Sequence, residues 1–515
     1  MSAELLAGLS DPAAYPHAVR DVELIETHIS WVFLTGDWVY KINKPVDLGF
    51  LDFSTLEKRH AVCENELRLN RHWAPSLYVD VVPVVNDGGR LRVAADGTPV
   101  EYALRMRQFE QAMRLDHQFE TGALGDDDML ELAAHIAERH LAARRAGPAE
   151  RAYREARELI IENYDALEGA VPPAFLAAQR NWMDAKLAAH EPLMRQRCAD
   201  GYVRDCHGDL HLGNIVRLAD GIRAYDCIAF NRKLREIDVV ADYAFLAMDL
   251  RARGAARLGA VFVNRYLEVT GDYAGACLLP LYEVYRSLVR AKIHAIRQRE
   301  RRVSAKDSDQ REIRHYCALA RLVARRRQPL LVAMSGYSGS GKTWLSSRLI
   351  PELGAIRMRS DLERKRRAGL GPTEDSHSGV GIGLYDAATT DALYDDLLEA
   401  ARRLLCAGLD VIVDAAFLRA GQRARARQAA ADAGAALVLV RATADEAVLR
   451  RRLRQRGAGG ADVSEADTAV LNYQLETADA PGTEDRAAMI DVDTDGPVDP
   501  VEVALAVRRI GRSSA

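Results

Sequence analysis

The first hundred residues contain several short apolar runs with the length and composition of β-strands. Three of them, VELIET, ISWVFL and WVYKI, come close together, and a compact turn at Thr35-Gly36-Asp37 joins the last two. A helical pattern begins near Thr55 and is stopped by Pro75, and three more strand-like runs follow it, YVDVVPVV, LRVAA and EYALRMRQF. The pattern predicts a small sheet with one helix packed on it.

Helical patterns dominate from about residue 126 to residue 300. The helices are interrupted at Pro148, at Pro172-Pro173 and by a polar segment, RDCHGDLHLGNI, at residues 204–215. A second predicted hairpin, formed by NIVRL and IRAYD, follows that segment directly. A small sheet followed by a mostly helical region predicts an α+β fold for this half of the chain.

Strands and helices alternate from Pro329 onward. LLVAMS precedes the helical segment KTWLSSRLI, and AIRMRS, DVIVDAAF, ALVLVRA and MIDVD are further strand-like runs with helical segments between them. Such alternation is typical of a parallel sheet with helices on both faces, which predicts an α/β fold. The change of pattern predicts two domains, at residues 1–325 and 326–515.

Composition and charge narrow the class of protein. Apolar residues make up 48% of the 515 residues and charged residues 28%, which is typical of a soluble globular protein with material for two cores. The net charge of -4 gives no basic bias, so nucleic acid is not an expected partner. No run reaches the roughly 18 apolar residues of a membrane span, and the N-terminus lacks a secretory signal pattern. The seven scattered cysteines predict a reducing compartment, and hence the cytoplasm.

The polar segment at residues 204–215 contains side chains suited to phosphoryl transfer. In HGDLHLGN, Asp209 is followed five places later by Asn214. Phosphoryl transfer needs a carboxylate that orients the acceptor hydroxyl, and oxygen ligands that hold magnesium against the phosphates. Asp209 suits the first role and Asn214 the second, while Asp226, at the end of the second hairpin, suits a further magnesium ligand. A loop-capping carboxylate is the alternative interpretation of Asp209.

Two residues upstream complete an ordered set with this segment. Lys41, in the strand WVYKI, is placed to bind nucleotide phosphates, and Glu66, on the following helix, to hold that lysine by an ion pair. Lys44 and Glu64 are the alternatives for these roles. The order of strand lysine, helix glutamate, H-G-D-x-x-x-x-N and strand aspartate resembles the aminoglycoside phosphotransferase branch of the protein-kinase-like fold.

This resemblance covers about residues 20–300 and implies a bilobal α+β domain that uses ATP and magnesium. The small lobe would span about residues 20–110 and the large lobe about residues 111–325. The sequence departs from the family at two places. The turn ETHIS between the first two strands has no glycine, where the family clamps the nucleotide phosphates with backbone amides, and Asp226 is not followed by the usual glycine.

The segment GYSGSGKT at residues 336–343 matches G-x-x-x-x-G-K-[ST] and lies between a predicted strand and a predicted helix. Its glycines allow backbone amides to wrap phosphates, and the helix N-terminus adds its dipole. Lys342 is predicted to bind the β- and γ-phosphates and Thr343 the magnesium ion. The predicted nucleotide-binding residues of this loop are Gly336, Ser338, Gly339, Ser340, Gly341, Lys342 and Thr343.

Three other segments of this half carry charge suited to the same reaction. Asp414 ends the strand DVIVD, where a carboxylate can hold the water shell of the metal. Asp361 follows another strand and is predicted to position the acceptor hydroxyl with Arg364 beside it, although a helix N-cap is the alternative. The segment VLRRRLRQRG predicts a lid in which Arg450 and Arg454 reach the phosphates, with a solvated basic helix as the alternative.

The second half resembles P-loop kinases related to gluconate kinase, the zeta toxins and polynucleotide kinase, over about residues 329–515. The order of the two halves is similar to a bacterial fusion of an aminoglycoside phosphotransferase-like domain with a P-loop kinase. The resemblance implies two ATP- and magnesium-dependent kinase modules that act on a hydroxyl group of a small molecule such as a sugar, polyol or aminoglycoside. Two alternatives stay open: a polynucleotide 5'-hydroxyl kinase, and a nucleotide-dependent regulatory protein with an N-terminal pseudokinase.

Overall fold

The computed structural model describes residues 2–47, 52–300, 306–376, 378, 382–459 and 464–513. The chain forms two compact units. The N-terminal unit comprises Met1–Asp165 and Leu187–Asp249, and the C-terminal unit comprises Ala166–Lys186 and Leu250–Ala515. The C-terminal unit therefore includes helices that precede the alternating pattern at Pro329.

The N-terminal unit contains a six-stranded antiparallel sheet with the strand order β1-β2-β3-β6-β4-β5. Helix α1 (Ser2–Leu9) comes first, and the strands are β1 (Glu23–Glu26), β2 (Ser30–Leu34), β3 (Trp38–Asn43), β4 (Tyr78–Asp87), β5 (Arg90–Val93) and β6 (Pro99–Arg107). Helix α2 (Leu56–Trp73) packs against β4 and β6. It begins after Thr55, whose hydroxyl accepts a hydrogen bond from the amide of Lys58. The predicted small sheet with one helix is confirmed.

Helices α3 to α8 follow this sheet in the chain. They are α3 (Leu115–Glu120), α4 (Asp126–Ala142), α5 (Ala149–Leu167), α6 (Pro173–Asp200), α7 (Arg232–Arg235) and α8 (Val239–Ala252). Two short antiparallel pairs lie among them, β7 (Val203–Asp205) with β10 (Glu236–Asp238) and β8 (Ile215–Leu218) with β9 (Gly221–Ala224). The polar segment at residues 204–215 thus runs from β7 to β8, and the β8–β9 hairpin is the second hairpin that the sequence predicts.

The C-terminal unit contains a five-stranded parallel sheet with the strand order β12-β13-β11-β14-β15. The strands are β11 (Leu330–Ser335), β12 (Ile356–Arg359), β13 (Val411–Asp414), β14 (Ala436–Thr443) and β15 (Met489–Asp493). Every residue of β11 and β13 is buried, as expected of a parallel sheet with both faces covered. The predicted α/β fold is confirmed.

Helices of this unit pack against the sheet and fix the loop after β11. The helices from residue 256 onward are α9 (Ala256–Thr270), α10 (Tyr273–Ala276), α11 (Leu279–Glu300), α12 (Lys306–Ala324), α13 (Lys342–Leu353), α14 (Ser360–Arg367), α15 (Ala387–Cys406), α16 (Ala420–Asp432), α17 (Glu446–Gly459), α18 (Thr468–Thr477), α19 (Thr483–Ala487) and α20 (Pro500–Ser513). Those that contact strands of the sheet are α9, α13, α14, α15, α16, α19 and α20. Leu345 and Leu349 of α13 pack with Val332 and Val438 of the central strands and with Val507 of α20. This packing holds the N-terminus of α13 beside the end of β11.

One helix closes an edge of the parallel sheet with its side chain. β12 is an edge strand, so its outer backbone groups have no partner strand. Asn264 of α9 is buried there; its amide nitrogen donates to the carbonyl of Ala355 (2.9 Å), and its amide oxygen accepts from the backbone nitrogen of Arg357 (2.6 Å). The asparagine therefore takes the place of a neighbouring strand.

No helix in the described ranges combines the length and apolar character of a membrane span. All seven cysteines are free thiols. Residues 297–327 are rich in arginine and include the end of α11 and all of α12, while residues 301–305 lie outside the described ranges.

Candidate active sites

Three charged side chains of the N-terminal unit meet where its second hairpin ends. Lys41 Nζ lies 2.7 Å from Glu66 Oε1 and 2.8 Å from Asp226 Oδ1. Lys41 is on β3, Glu66 on α2, and Asp226 follows β9. Burial lowers the pKa of Lys41, but the charges of Asp226 and Glu66 outweigh burial and raise this pKa overall, so the lysine is cationic. The structure brings together three of the predicted site residues.

The alternative lysine and glutamate are engaged elsewhere. Lys44 Nζ lies 2.6 Å from Glu26 Oε1 and donates to the carbonyl of Thr27 at the turn between β1 and β2. Glu64 is exposed and faces His60 of the same helix at 3.6 Å. Only the Lys41 and Glu66 pair, of the two pairs considered, reaches Asp226.

The predicted catalytic loop is held by a buried carboxylate of α8. Asp242 accepts hydrogen bonds from the backbone nitrogens of His207 (2.9 Å) and Gly208 (2.8 Å). Gly208 has a φ of +85°, and a Cβ there would lie 2.7 Å from the carbonyl of Leu234, so the loop requires glycine. Within the loop, Asn214 Nδ2 donates to Asp209 Oδ2 at 3.0 Å. The side chains of the asparagine and the aspartate are therefore adjacent.

The backbone at Asp226 is fixed without the glycine that usually follows it in the family. Asp226 itself has a φ of +59°, which residues with a side chain rarely adopt. Its backbone nitrogen donates to the Tyr78 hydroxyl, and the nitrogen of Cys227 donates to Asn70 Oδ1, both at 2.9 Å. Two buried polar side chains hold the strained segment in place.

The turn between β1 and β2 also departs from a glycine-rich clamp. The backbone nitrogen of Thr27 donates to the carbonyl of Ser30, and the backbone nitrogen of Ser30 donates to the Thr27 hydroxyl, both at 2.9 Å. The turn is thus closed on itself and uses two of the backbone donors that a phosphate clamp would offer. Any nucleotide in this unit would depend mainly on side chains such as Lys41.

Within the described residues, one group of three side chains has the spacing of metal ligands: His140, Cys206 and Asp242. All three are buried, and His140 Nε2 lies 3.1 Å from Asp242 Oδ2. Since Asp242 already accepts two backbone hydrogen bonds from the catalytic loop, this group is explained as structural support for that loop.

The loop at residues 336–343 of the C-terminal unit runs from β11 to α13. Gly336 has a φ of +132°, and a Cβ there would lie 2.3 Å from the carbonyl of Ala442, so no other residue fits. Lys342 Nζ donates to the carbonyl of Tyr337 at 2.8 Å. Burial lowers the pKa of Lys342 to about 8, which the charges of Asp414 and Asp361 oppose only in part. Lys342, like Lys41 in the N-terminal unit, is therefore a lysine suited to binding phosphate, and it lies in a loop that also offers backbone amides.

A cavity of about 1020 Å³ opens beside this loop. It brings together most of the residues that the sequence predicts for this half, namely Ser338, Gly339, Gly341, Lys342, Thr343, Asp361, Arg364 and Asp414. Asp414, at the end of β13, is buried, and its Oδ2 accepts a hydrogen bond from the Ser346 hydroxyl at 2.9 Å. The loop at residues 336–343, the candidate metal ligand Asp414 and the candidate base Asp361 therefore line the same cavity.

Asp361 does not act as the N-cap of α14. It is the second residue of that helix, whose N-cap is Arg359, and no side-chain capping hydrogen bond is present. In the described part of the chain the Asp361 carboxylate has no hydrogen-bond partner, so it is available in the cavity. Arg364, one turn later, is buried, with its guanidinium 4.7 Å from the ring centre of Tyr385.

The predicted lid arginines need a correction. Arg450 pairs with Glu446 (2.7 Å), and the Arg454 Nε donates to the carbonyl of Arg450, so neither lines the cavity. Arg452 and Arg456, one helical turn apart on the opposite side of α17, line it instead. Arg452 Nη1 also donates to the carbonyl of Gly339 at 3.2 Å, which braces the phosphate loop.

Two residues that hold the loop could not be found from motifs. The backbone nitrogen of Ser338 donates to Gln474 Oε1 (2.8 Å), and the Thr494 hydroxyl donates to the carbonyl of Ser340 (2.9 Å). Thr494 directly follows β15, and the end of a parallel strand was the one available indication of a site residue. Gln474 lies in the middle of α18 and carried no such indication.

The topologies and loops described above confirm both fold predictions: a protein-kinase-like fold in the N-terminal region and a P-loop kinase fold in the C-terminal region. A family model described as an AAA domain matches residues 331–481. Among solved structures, a gluconokinase from Sinorhizobium meliloti is 23% identical, with a TM-score of 0.27, over 36% of this chain and 97% of its own. A choline/ethanolamine kinase family protein from Mesorhizobium loti is 13% identical, with a TM-score of 0.38, over 62% of this chain and 99% of its own.

A relative matches nearly the whole length of the chain. Uncharacterized protein Rv2004c of Mycobacterium tuberculosis is 30% identical over 472 residues, which cover 90% of this chain and 92% of that protein. Both halves and their order are therefore shared between the two proteins. The chain belongs to the family of this mycobacterial protein.

Proposed function

We propose that the protein is an ATP- and magnesium-dependent phosphotransferase with two kinase modules, which acts on hydroxyl groups of small molecules such as sugars, polyols or aminoglycosides. The observation that carries the proposal is the cavity of the C-terminal unit. It holds a phosphate-binding loop with Lys342, the oxygens of Thr343 and Asp414, and the free carboxylate of Asp361 within about 1020 Å³. These are the groups that phosphoryl transfer needs.

The residues of this cavity fit magnesium. In the described part of the chain neither the Thr343 hydroxyl nor the Oδ1 atom of Asp414 has a hydrogen-bond partner, and Mg²⁺ prefers oxygen ligands of these kinds. Thr343 would hold the ion directly and Asp414 its water shell. When bound, magnesium supplies positive charge that neutralises the phosphates.

The protein side chains then have separate tasks in the C-terminal module. Lys342 and the amides of residues 336–343 bind the β- and γ-phosphates and keep the transferred group in place. Asp361 accepts a hydrogen bond from the acceptor hydroxyl and orients it. It takes the hydroxyl proton as the acceptor oxygen bonds to the γ-phosphorus, while the bond from that phosphorus to the β–γ bridging oxygen breaks and ADP leaves. Arg364, Arg452 and Arg456 supply positive charge around the transferred phosphate.

The N-terminal module has a corresponding set of side chains. Lys41, held by Glu66, would bind the nucleotide phosphates, Asn214 and Asp226 would hold magnesium, and Asp209 would orient the acceptor hydroxyl. The ion pair of 2.7 Å between Lys41 and Glu66 supports this assignment. The closed Thr27 turn favours a second candidate function for this module, a pseudokinase that binds a ligand and regulates the other module.

An ATP-consumption screen tests the proposal. Wild-type protein is offered sugars, polyols, aminoglycosides, nucleosides and a 5'-hydroxyl oligonucleotide, beside Lys342→Ala and Asp209→Asn variants of the full chain. We expect consumption that depends on a small-molecule hydroxyl and that falls in at least one variant. Consumption stimulated only by the oligonucleotide would support the polynucleotide kinase alternative. Slow turnover that no acceptor stimulates would contradict the proposal and favour a nucleotide-dependent regulator.

Nucleotide affinity of the C-terminal module should fall as pH rises above 8. Lys342 has a pKa lowered to about 8 by burial, so it loses its charge above that pH in the free protein. Bound phosphates favour the charged lysine, and linkage then predicts a loss of about tenfold in ADP affinity between pH 7 and pH 9. Calorimetric titration with ADP at fixed magnesium measures it.

The Lys342→Ala variant is the control for this pH dependence. It should bind ADP more weakly at pH 7, because the phosphates lose a positive charge, and its affinity should change little between pH 7 and pH 9. An equally steep decline in the variant would show that another group titrates and that the pKa of Lys342 is not responsible.

A further inference from the structure

Arg357 of β12 is a buried cation that lies outside the cavity. On one side its Nη2 is 2.5 Å from Oε1 of Glu268, a residue of α9 whose side chain is 10% exposed. On the other side its Nη1 donates to the hydroxyls of Ser346 (3.0 Å) and Ser347 (2.6 Å) in α13. The arginine therefore connects α9 to the helix that follows the phosphate loop.

Ser346 links Arg357 to the carboxylate of Asp414, the candidate metal ligand. Its hydroxyl lies 2.9 Å from Asp414 Oδ2 and 3.2 Å from the carbonyl of Thr343. A hydroxyl has one proton, which it can donate to only one acceptor at full strength. Because Arg357 has no acceptor atom, it must donate to the Ser346 oxygen, and the serine proton then remains available for Asp414.

Glu268 stabilises the charged guanidinium of Arg357 in the buried interior. An unpaired guanidinium would be costly there, and a carboxylate at 2.5 Å offsets that cost. The paired carboxylate also holds the planar guanidinium in one orientation, with Nη1 directed at the two hydroxyls. Loss of Glu268 would leave Arg357 free to turn away from Ser346.

We propose that Glu268 and Arg357 are positioning residues for the P-loop site: through Ser346 they fix the Asp414 carboxylate so that its other oxygen faces the metal's water shell. This inference rests on the proposed function. It makes α9, which precedes the P-loop region in sequence, a part of the structure that prepares magnesium binding. The carboxylate is constrained by one hydrogen bond, and that bond depends on a charge contributed from α9.

The test measures how strongly magnesium increases ADP affinity in the full chain. Calorimetric titrations with ADP are run in magnesium and in a chelator, for wild type, Glu268→Gln and Ser346→Ala. Residues that orient a metal's ligands typically contribute 10- to 100-fold. We expect each variant to lose about tenfold of the magnesium-dependent increase, with ADP affinity in chelator within about twofold of wild type because Lys342 and the loop amides are intact.

A double variant and a matched control separate positioning from general stability. If Glu268 acts through Ser346, Glu268→Gln/Ser346→Ala should lose no more than either single variant, since coupled residues are not additive. Asp491→Asn is the control, because Asp491 pairs with Arg441 of β14 at 2.6 Å, a similar strand arginine with no link to Asp414. It should leave the magnesium effect unchanged. Thermal unfolding of every variant monitors the fold.

Three outcomes would overturn the inference. The first is an unchanged magnesium effect in Glu268→Gln with only a lower Tm, which would make the ion pair structural. The second is a double variant whose losses multiply, which would show that Glu268 does not act through Ser346. The third is a wild-type protein that binds no ADP with or without magnesium, which would overturn the proposed function together with this inference, whereas the first two leave the proposed function standing.

Discussion

Asp361→Asn is expected to lower the rate of phosphate transfer in the C-terminal module by about 100- to 10,000-fold, the range typical of losing a general base. The amide has nearly the shape of the carboxylate but cannot take the hydroxyl proton. Nucleotide affinity should stay close to wild type, because Asp361 lies in the cavity without a bond to the phosphate loop. Single-turnover transfer to the acceptor found in the screen, with ADP titration beside it, measures both quantities.

Asp386→Asn provides the matched control for this variant. Asp386 is the N-cap of α15, where it accepts a hydrogen bond from the backbone nitrogen of Thr389, and it does not line the cavity. Asparagine caps helices as well as aspartate does, so this variant should transfer phosphate at the wild-type rate. A near-wild-type rate in Asp361→Asn would reduce Asp361 to an acidic residue that stabilises the first turn of α14.

Asp209→Asn should abolish transfer by the N-terminal module, again by about 100- to 10,000-fold. The variant is made in a Lys342→Ala chain, so that the C-terminal module does not mask the loss. Asn214 donates to Asp209 Oδ2, and Asp242 holds the loop through its backbone, so the change removes a proton acceptor while most of the loop contacts persist. Rates with the acceptor found in the screen, at saturating magnesium and ATP, test the expectation.

Asp220→Asn is the control in the same background. Asp220 lies in the exposed turn between β8 and β9, where its carboxylate lies 3.4 Å from Arg223 Nε and accepts a hydrogen bond from the Ser76 hydroxyl at 3.1 Å. Its replacement should not change the rate. If the Lys342→Ala chain folds but neither transfers phosphate nor binds a second nucleotide at millimolar ATP with magnesium, the N-terminal module is a pseudokinase and the two-kinase proposal fails.

The sequence can indicate candidate site residues where they are close in the chain or belong to a regular element. The phosphate loop is one uninterrupted segment, and its glycines record a backbone geometry that only glycine allows at Gly336. Lys41 belongs to a strand pattern and Asp226 follows a hairpin pattern, so each could be assigned to a regular element from the sequence. The loop and the strands are each formed by residues that are consecutive in the chain, so their patterns can be recognised in the sequence.

The orientation of a helix and contacts distant in sequence could not be predicted. Five arginines lie between residues 450 and 456, so they occur on every side of α17, and only packing decides that Arg452 and Arg456 face the cavity. Asn264 and Glu268 belong to no motif, and their partners, in and directly before β12, are about 90 residues further along the chain. Their roles arise from tertiary structure alone.

Because Asn264 covers the edge of β12, it limits which fragments of the chain can be separated without exposing that strand. Unpaired edge strands recruit strands of other molecules, and proteins protect them against aggregation. A fragment beginning at Pro329 would lack Asn264 and would expose the backbone of residues 355–357 to such pairing. The smallest piece that recombination could transfer intact would therefore start before α9, well inside the stretch that sequence patterns assign to the preceding domain.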